Sequence, residues 1–345
     1  APFLGGAGGA ASWARTQLWM RVVLEALERP LYDATCSGLG YGVGAAWAKG
    51  CVDVDVSGLA GDGLRRLLDA ALEGLAGAVA DAGAFDRCRE KLARHLRNLD
   101  KGRADAHAAR WKRELLQERT PTLADLRAAV DAATLEDVAA HARRALAGAR
   151  VLVHAHGAVD EADARGFARA VRGRLPISGD ADWPAPPRVR LIPTGSTLVA
   201  RPSPNAADDE NAALQRSYDV GSRDDLAVHA ATSLFVHVFK EPFFTQLRTR
   251  EQLGYLVSAR YASTRGRLHV VLTVQSKTAD PPALRDRFDA FVRSFDVASV
   301  DLEQAKDALA TKWTEPDDSM YHEASRFWGE VDHPAPEGPL FDRAD

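Results

Sequence analysis

The feature of this 345-residue chain that most restricts its fold is that it repeats itself. Laid over EQLGYLV at residues 251–257, the stretch SGLGYGV at 37–43 shares Leu-Gly-Tyr, at an offset of 214. A period-two run follows in each copy, Val52, Val54 and Val56 in the first and Val270, Leu272 and Val274 in the second, the pattern of strands with one buried face. Helical patterns come next. Leu64, Leu68, Leu72 and Leu75 answer Leu284, Phe288, Val292 and Phe295 on one face, and each copy then turns into a further amphipathic helix. Upstream, an apolar helix runs into Pro30 in one copy and Pro242 in the other, where proline suits the first position of a new helix. The order helix, helix, strand, strand, helix, helix thus occurs twice, with the offset drifting only from 212 to 220.

The spacing predicts an α+β fold of two homologous αβ units, each a mostly antiparallel sheet with helices packed on it. The first unit is expected over residues 1–175, a Pro- and Gly-rich linker over 176–190, and a second, incomplete unit over 191–345. The first copy carries more than the second reaches: helices in AHAARWKRELLQE and LADLRAAVDAA, one capped by Thr134 with Asp137 at N3, a strand ARVLVHAHG, and a helix from Asp160. If the copies are equivalent, the second lacks its final helices and strand, which predicts an exposed apolar sheet edge or face beyond residue 190. From the start at Ala1 a processed or excised piece is expected.

With 46% apolar residues there is ample material for two cores, and a formal charge of −4 gives no global attraction for nucleic acid or an anionic membrane. The three cysteines, Cys36, Cys51 and Cys88, have no C-x-x-C spacing, so neither a disulfide framework nor a zinc knuckle is indicated and a reducing, cytoplasmic setting is expected. No H-x-x-H, H-E-x-x-H or H-x-x-E-H occurs; in HEASR, Arg326 stands where a second ligand would be. His154 and His156 share one side of their expected strand without a third ligand nearby in sequence, and Asp53 and Asp55 follow from alternation alone. The basic stripe Arg87, Lys91, Arg94 and Lys101 reads as a solvated helix face.

One segment resists a purely architectural reading. In FKEPFFTQLRTREQLGYLV, residues 239–257, Pro242 opens a helix, Phe243, Phe244 and Leu247 supply its apolar face, and Gly254 suits a left-handed residue before the next strand. The first copy keeps the tyrosine as Tyr41 but has Ala34 where Arg248 precedes Tyr255 by seven residues, and its proline-to-tyrosine spacing is two residues shorter. A guanidinium and a phenol launched across a helix end can both donate to a carbonyl or developing oxyanion; an Arg248–Glu251 ion pair would use the same residues.

The run EPFFTQLRTREQLGYLV, with LHVVLTVQS and SRFWGEV, closely resembles the carboxy-terminal half of the insulinase-type inverted zincins, and LGYGV, VDVDVSGLAGDGLRRLL and LVHAHGAV look like that family's third domain. The resemblance spans nearly the whole chain. It implies four related αβ domains closing round a peptide-admitting chamber, of which this chain is most of the third and the first part of the fourth. It also implies Zn2+ held by H-x-x-E-H and a downstream glutamate in an amino-terminal partner half, with no ligand contributed here. What transfers is Tyr255 and Arg248, as auxiliary catalytic residues that touch peptide substrate and its oxyanion. The alternative is a non-catalytic scaffold or peptide-binding subunit of the same fold. Neither reading involves nucleic acid or a membrane.

Overall fold

The computed structural model describes residues 9–46, 51–77, 81–118, 120–177, 189–191, 195, 201–202, 204 and 209–332, so most of the linker expected at 176–190 lies outside the described residues. The chain divides into two compact units. One comprises residues 1–100 and 117–188, the other 101–116 and 189–345. The helix Ala104–Leu116, which sequence order assigns to the first unit, therefore groups with the second.

In the first unit a hairpin of β1 (Gly40–Ala46) and β2 (Cys51–Ser57) accompanies helices α1 (Gly9–Glu28), α2 (Tyr32–Cys36), α3 (Asp62–Gly77), α4 (Ala82–Asn98), α6 (Leu123–Ala132), α7 (Leu135–Ala147) and α8 (Glu161–Arg174). Helix α1 is central because it is apolar on more than one side: Leu18, Trp19, Val22 and Val23 are fully buried, and it packs against α3, α4, α6, α7 and β1. Two of its buried polar side chains, Trp19 and Thr16, bond to their neighbours. The Trp19 indole donates to the Leu75 carbonyl at 3.2 Å, and the Thr16 hydroxyl donates to Ser12 O while lying 2.8 Å from His141 Nε2. Helices start where short acceptors stand ready, as Thr122, Thr134 and Asp160 each accept from the backbone N–H three residues on.

The second unit is built on a three-stranded antiparallel sheet in the order β3 (Ala212–Ser222), β5 (Arg267–Ser276), β4 (Leu256–Thr264). Helices α9 (Leu226–Phe244) and α10 (Pro281–Ser294) cover one face, where Val270, Leu272 and Val274 meet Phe239, Phe243, Phe288 and Phe291. Phe243 lies edge-on to Phe288 and Phe291, both at 5.4 Å between ring centres, and burying each such ring contributes roughly 1.5–3 kcal/mol. On the other face lies α5 (Ala104–Leu116), whose Asp105 N–H donates to the Gln275 side chain at 3.3 Å. Helices α11 (Leu302–Thr314) and α12 (Met320–Asp332) follow.

Four expectations need correcting. Strand β5 is not one-faced: His269, Val271 and Thr273 are buried as well, because α5 covers the side that alternation assigned to solvent. On α10, Phe291 is buried and Val292 is 40% exposed, the larger ring having taken the place against the sheet. Residues 151–156 of the first unit form no ladder with β1 or β2, and Leu152 and Val153 are exposed, so hydrophobic alternation there lacked a partner strand among the described residues. Finally, Pro242 opens nothing. It lies inside α9, which continues into a six-residue π-helical stretch, Thr245–Arg250, followed by a wide bond from Glu251 N–H to Gln246 O at 3.0 Å.

Candidate functional site

The wider winding decides where the Leu-Gly-Tyr segment of the second unit points. Phe243 and Leu247, both fully buried, nail the end of the helix to the sheet, and the chain must then reverse into β4 within a few residues. Gln252, not Gly254, takes the left-handed conformation, with φ 52°, and Leu253 N–H closes the turn on Leu247 O at 3.0 Å. Gly254 is required for a different reason: a Cβ there would overlap the Gln275 carbonyl oxygen of β5. Glu251 locks the turn from the side, accepting from Arg287 Nε at 2.6 Å and from the Gln246 amide at 2.8 Å, and these donors, Arg287 foremost, hold its carboxyl below the usual range.

With Glu251 occupied by Arg287, the ion pair between Arg248 and Glu251 is not made. Arg248 instead places its guanidinium carbon 5.3 Å from the centre of the Tyr255 ring, a cation–π contact. The two sequence-selected side chains are therefore together. Tyr255 is 90% exposed, the most exposed large apolar side chain among the described residues, and stands on a cleft of about 280 Å³ shared with Arg103, Leu256, Val257 and Gln275. A ring held at its face by a cation and bare at its hydroxyl can donate to an incoming acceptor without first losing a protein partner.

Sequence reasoning missed Arg103 and Gln275. Arg103 sits just before α5, in a stretch that chain order placed elsewhere. Gln275 carried a readable signal, a polar residue at the end of a valine-rich strand directly opposite Leu256.

The same sheet carries an unusual polar cluster beneath α5. Burial, Arg260 and Arg113 push the Lys112 ammonium down to about 8. His269, 3% exposed, is likewise held below its ordinary value by burial, and its Nε2 has no hydrogen-bond partner among the described residues.

Other candidates resolve into structure. Arg87 and Lys91 both pair with Glu25, and Arg94 with Glu90, so the basic stripe is largely neutralised. His322 pairs with Asp318. The His154 and His156 rings lie 6.0 Å apart, yet among the described residues no three His, Cys, Asp or Glu side chains converge as a metal site would require. The donor set here does not fit zinc. No helix among the described residues is long and apolar enough to cross a membrane.

Comparison with known proteins bears on the family and the fold. Residues 8–129 match the family model described as the middle or third domain of peptidase M16, and residues 234–328 match that of PQQ synthase PqqF-like, C-terminal lobe domain 4. The insulin-degrading enzyme of Drosophila melanogaster is 26% identical over 325 residues, 91% of this chain and 32% of that protein. The crystal structure of pitrilysin superposes with a TM-score of 0.80 at 22% identity, over 96% of this chain and 35% of that one. A structure described as the peptidase M16 inactive domain from Pseudomonas fluorescens gives 0.65 at 15% identity, over 96% of this chain and 79% of that one. The chain thus spans about a third of the length of the curated relative it matches. Two family models in the order third domain then fourth, a relative aligned across nine-tenths of the chain and the fold of pitrilysin together support an insulinase-type M16 carboxy-terminal half.

Proposed function

We propose that this chain is the non-zinc half of a zinc metalloendopeptidase, which closes with an amino-terminal zinc-binding half round peptide substrates. In that assembly it supplies chamber wall, substrate contacts and two auxiliary groups. The Tyr255 hydroxyl donates a hydrogen bond to the carbonyl oxygen of the bond being cleaved and holds it as negative charge develops. Arg248, stacked on the ring, fixes the phenol's direction and adds positive charge beside it. Zinc and the activation of water belong to the partner half in this reading; among the described residues no three His, Cys, Asp or Glu side chains converge. One observation carries the reading: the exposed Tyr255 is oriented by Arg248 rather than by any group that would occupy its hydroxyl.

The test is peptide cleavage by this chain mixed with a matching zinc-binding half. Neither half alone should cleave, the mixture should, and Arg248→Ala should slow the mixture. Cleavage by the zinc-binding half at the full rate without this chain would contradict the proposal.

A second reading, a non-catalytic scaffold or peptide-binding subunit, is favoured by one finding, the likeness over 96% of the chain to a domain described as inactive. The two differ in whether the partner half carries H-x-x-E-H.

A further inference from the structure

The sheet of the second unit has two edges, and they are not alike. Strand β3 is interrupted, with a register shift between Asp219 and Gly221 and Gly221 at φ 138°, the kind of bulge that spoils an edge as a template. Strand β4 pairs with β5 through nine consecutive residues without a break, contains no proline, and carries one charge, Arg260. The hairpin closes through Arg265 and Gly266, both at positive φ, so Thr264 and Arg267 form the hydrogen-bonded pair at the turn. Counting back by alternation, Ser263, Tyr261, Ala259 and Val257 turn their N–H and C=O groups outward. Among the described residues no hydrogen bond reaches that edge.

The edge begins one residue after Tyr255 and is lined differently on its two sides. Ser258 and Arg260 lie on the α5 side, across the sheet from Thr273 and Val271, with Lys112 behind. Among the described residues neither Arg260 nor Lys112 has a carboxylate partner. Ala259 and Tyr261 lie on the α9 side, where Tyr261 meets the His229 ring edge-on at 5.8 Å.

We propose that the outer edge of β4 is a docking strand for an extended peptide: its backbone pairs with Val257, Ala259, Tyr261 and Ser263, and its side chains alternate between acidic ones beside Arg260 and Lys112 and apolar ones beside Ala259 and Tyr261. This rests on the reading that the chain meets peptides, and it names the class, unfolded segments with alternating acidic and apolar residues. The strand delivers such a segment to Tyr255 at its amino-terminal end. Complementary charge and continuity with the Tyr255 cleft select a peptide over a second copy of the chain, whose β4 would set Arg260 against Arg260 or its neighbours.

The experiment is direct binding to the 345-residue chain, without cleavage, of a fluorescent peptide of alternating Glu and Val and of two N-methylated forms, methylated at all Glu or at all Val positions. A strand added to an edge uses every second N–H, so one form should bind on the order of tenfold or more weakly and the other like the parent. Replacing Glu by Lys should also weaken binding. Ala259→Pro, which removes an outward donor, should abolish it at unchanged thermal stability. Equal losses for the two methylated forms, no binding, or undiminished binding to a stably folded Ala259→Pro protein would overturn the proposal. So would dimerisation through β4 with no effect of peptide, which would make a second copy the occupant. If Ala259→Pro does not fold, the methylated pair decides, since it leaves the protein intact. Cleavage is not read, so failure here leaves the Tyr255 role standing, and a silent Tyr255→Phe in the mixed protease leaves strand docking standing.

Discussion

Tyr41 and Tyr255 occupy the same Leu-Gly-Tyr sequence in the two units and are presented in opposite ways. Tyr41 lies within β1, opposite Val56, packed against the core of the first unit, and burial together with the Glu28 carboxylate pushes its phenol above the ordinary range. Tyr255 precedes its strand, is 90% exposed and is faced by Arg248. Two extra residues between proline and tyrosine account for the difference, since in the second unit they are spent on the π-helical stretch and the left-handed turn at Gln252. The same motif holds a packed tyrosine in one setting and an exposed, cation-faced one in the other, and what separates them is backbone winding.

The sharpest way to break this comparison is at the glycine beside each tyrosine. Gly254→Ala drives a Cβ into the Gln275 carbonyl, so backbone must move, and a loss of roughly 3–5 kcal/mol is expected from urea unfolding of the second unit. At Gly40 the nearest atom is the tip of the Ser57 side chain, at 2.7 Å, which can rotate away; Gly40→Ala should cost about 1 kcal/mol. Similar losses at both sites would mean that the two segments are held alike.

The units should also separate by pH. His141 in the first unit, 2% exposed, is pushed down to about 4 by burial and by Arg144 and Arg15. Its folded value lies below its unfolded one, so the stability is fully present above about 6.5 and is lost as pH falls towards 4, by about 3 kcal/mol in all. The first unit's urea midpoint should fall over that window, and less so in His141→Asn. Lys112 in the second unit is also lowered, to about 8. The unfolded chain then binds the extra proton between about 8 and 10.5, so that unit should gain stability as pH rises through this range, and Lys112→Met should flatten the rise. The smallest effect is expected at Gln252→Gly, which relieves a left-handed non-glycine residue and should stabilise the second unit by roughly 0.5–1 kcal/mol in thermal unfolding.

What could be read in the sequence was whatever is written locally. The strands at Val52 and Val270 and the cap at Thr134 depend on neighbours a few residues apart, and the fold follows them. The pairing of Arg248 with Tyr255 was visible as a spacing. What was not visible came from distant partners. Arg287, thirty-six residues away, takes Glu251 and so leaves Arg248 for the ring. Helix α5 joins the second unit from the middle of the first and buries the far face of β5. Gly254 looked like a conformational glycine, whereas it is a close-approach glycine set by the register of β4 on β5. The strand expected at 149–157 failed for the converse reason, local alternation without a neighbour to pair with among the described residues.

The central claim is that Tyr255 acts because it is presented and Tyr41 does not because it is held. Steady-state cleavage of one peptide by the two mixed halves, comparing Tyr255→Phe with Tyr41→Phe, tests it most directly. The account predicts a fall in kcat of about 100-fold for the first with KM little changed, and native turnover for the second. Native turnover for Tyr255→Phe, or equal losses in both variants, would contradict it.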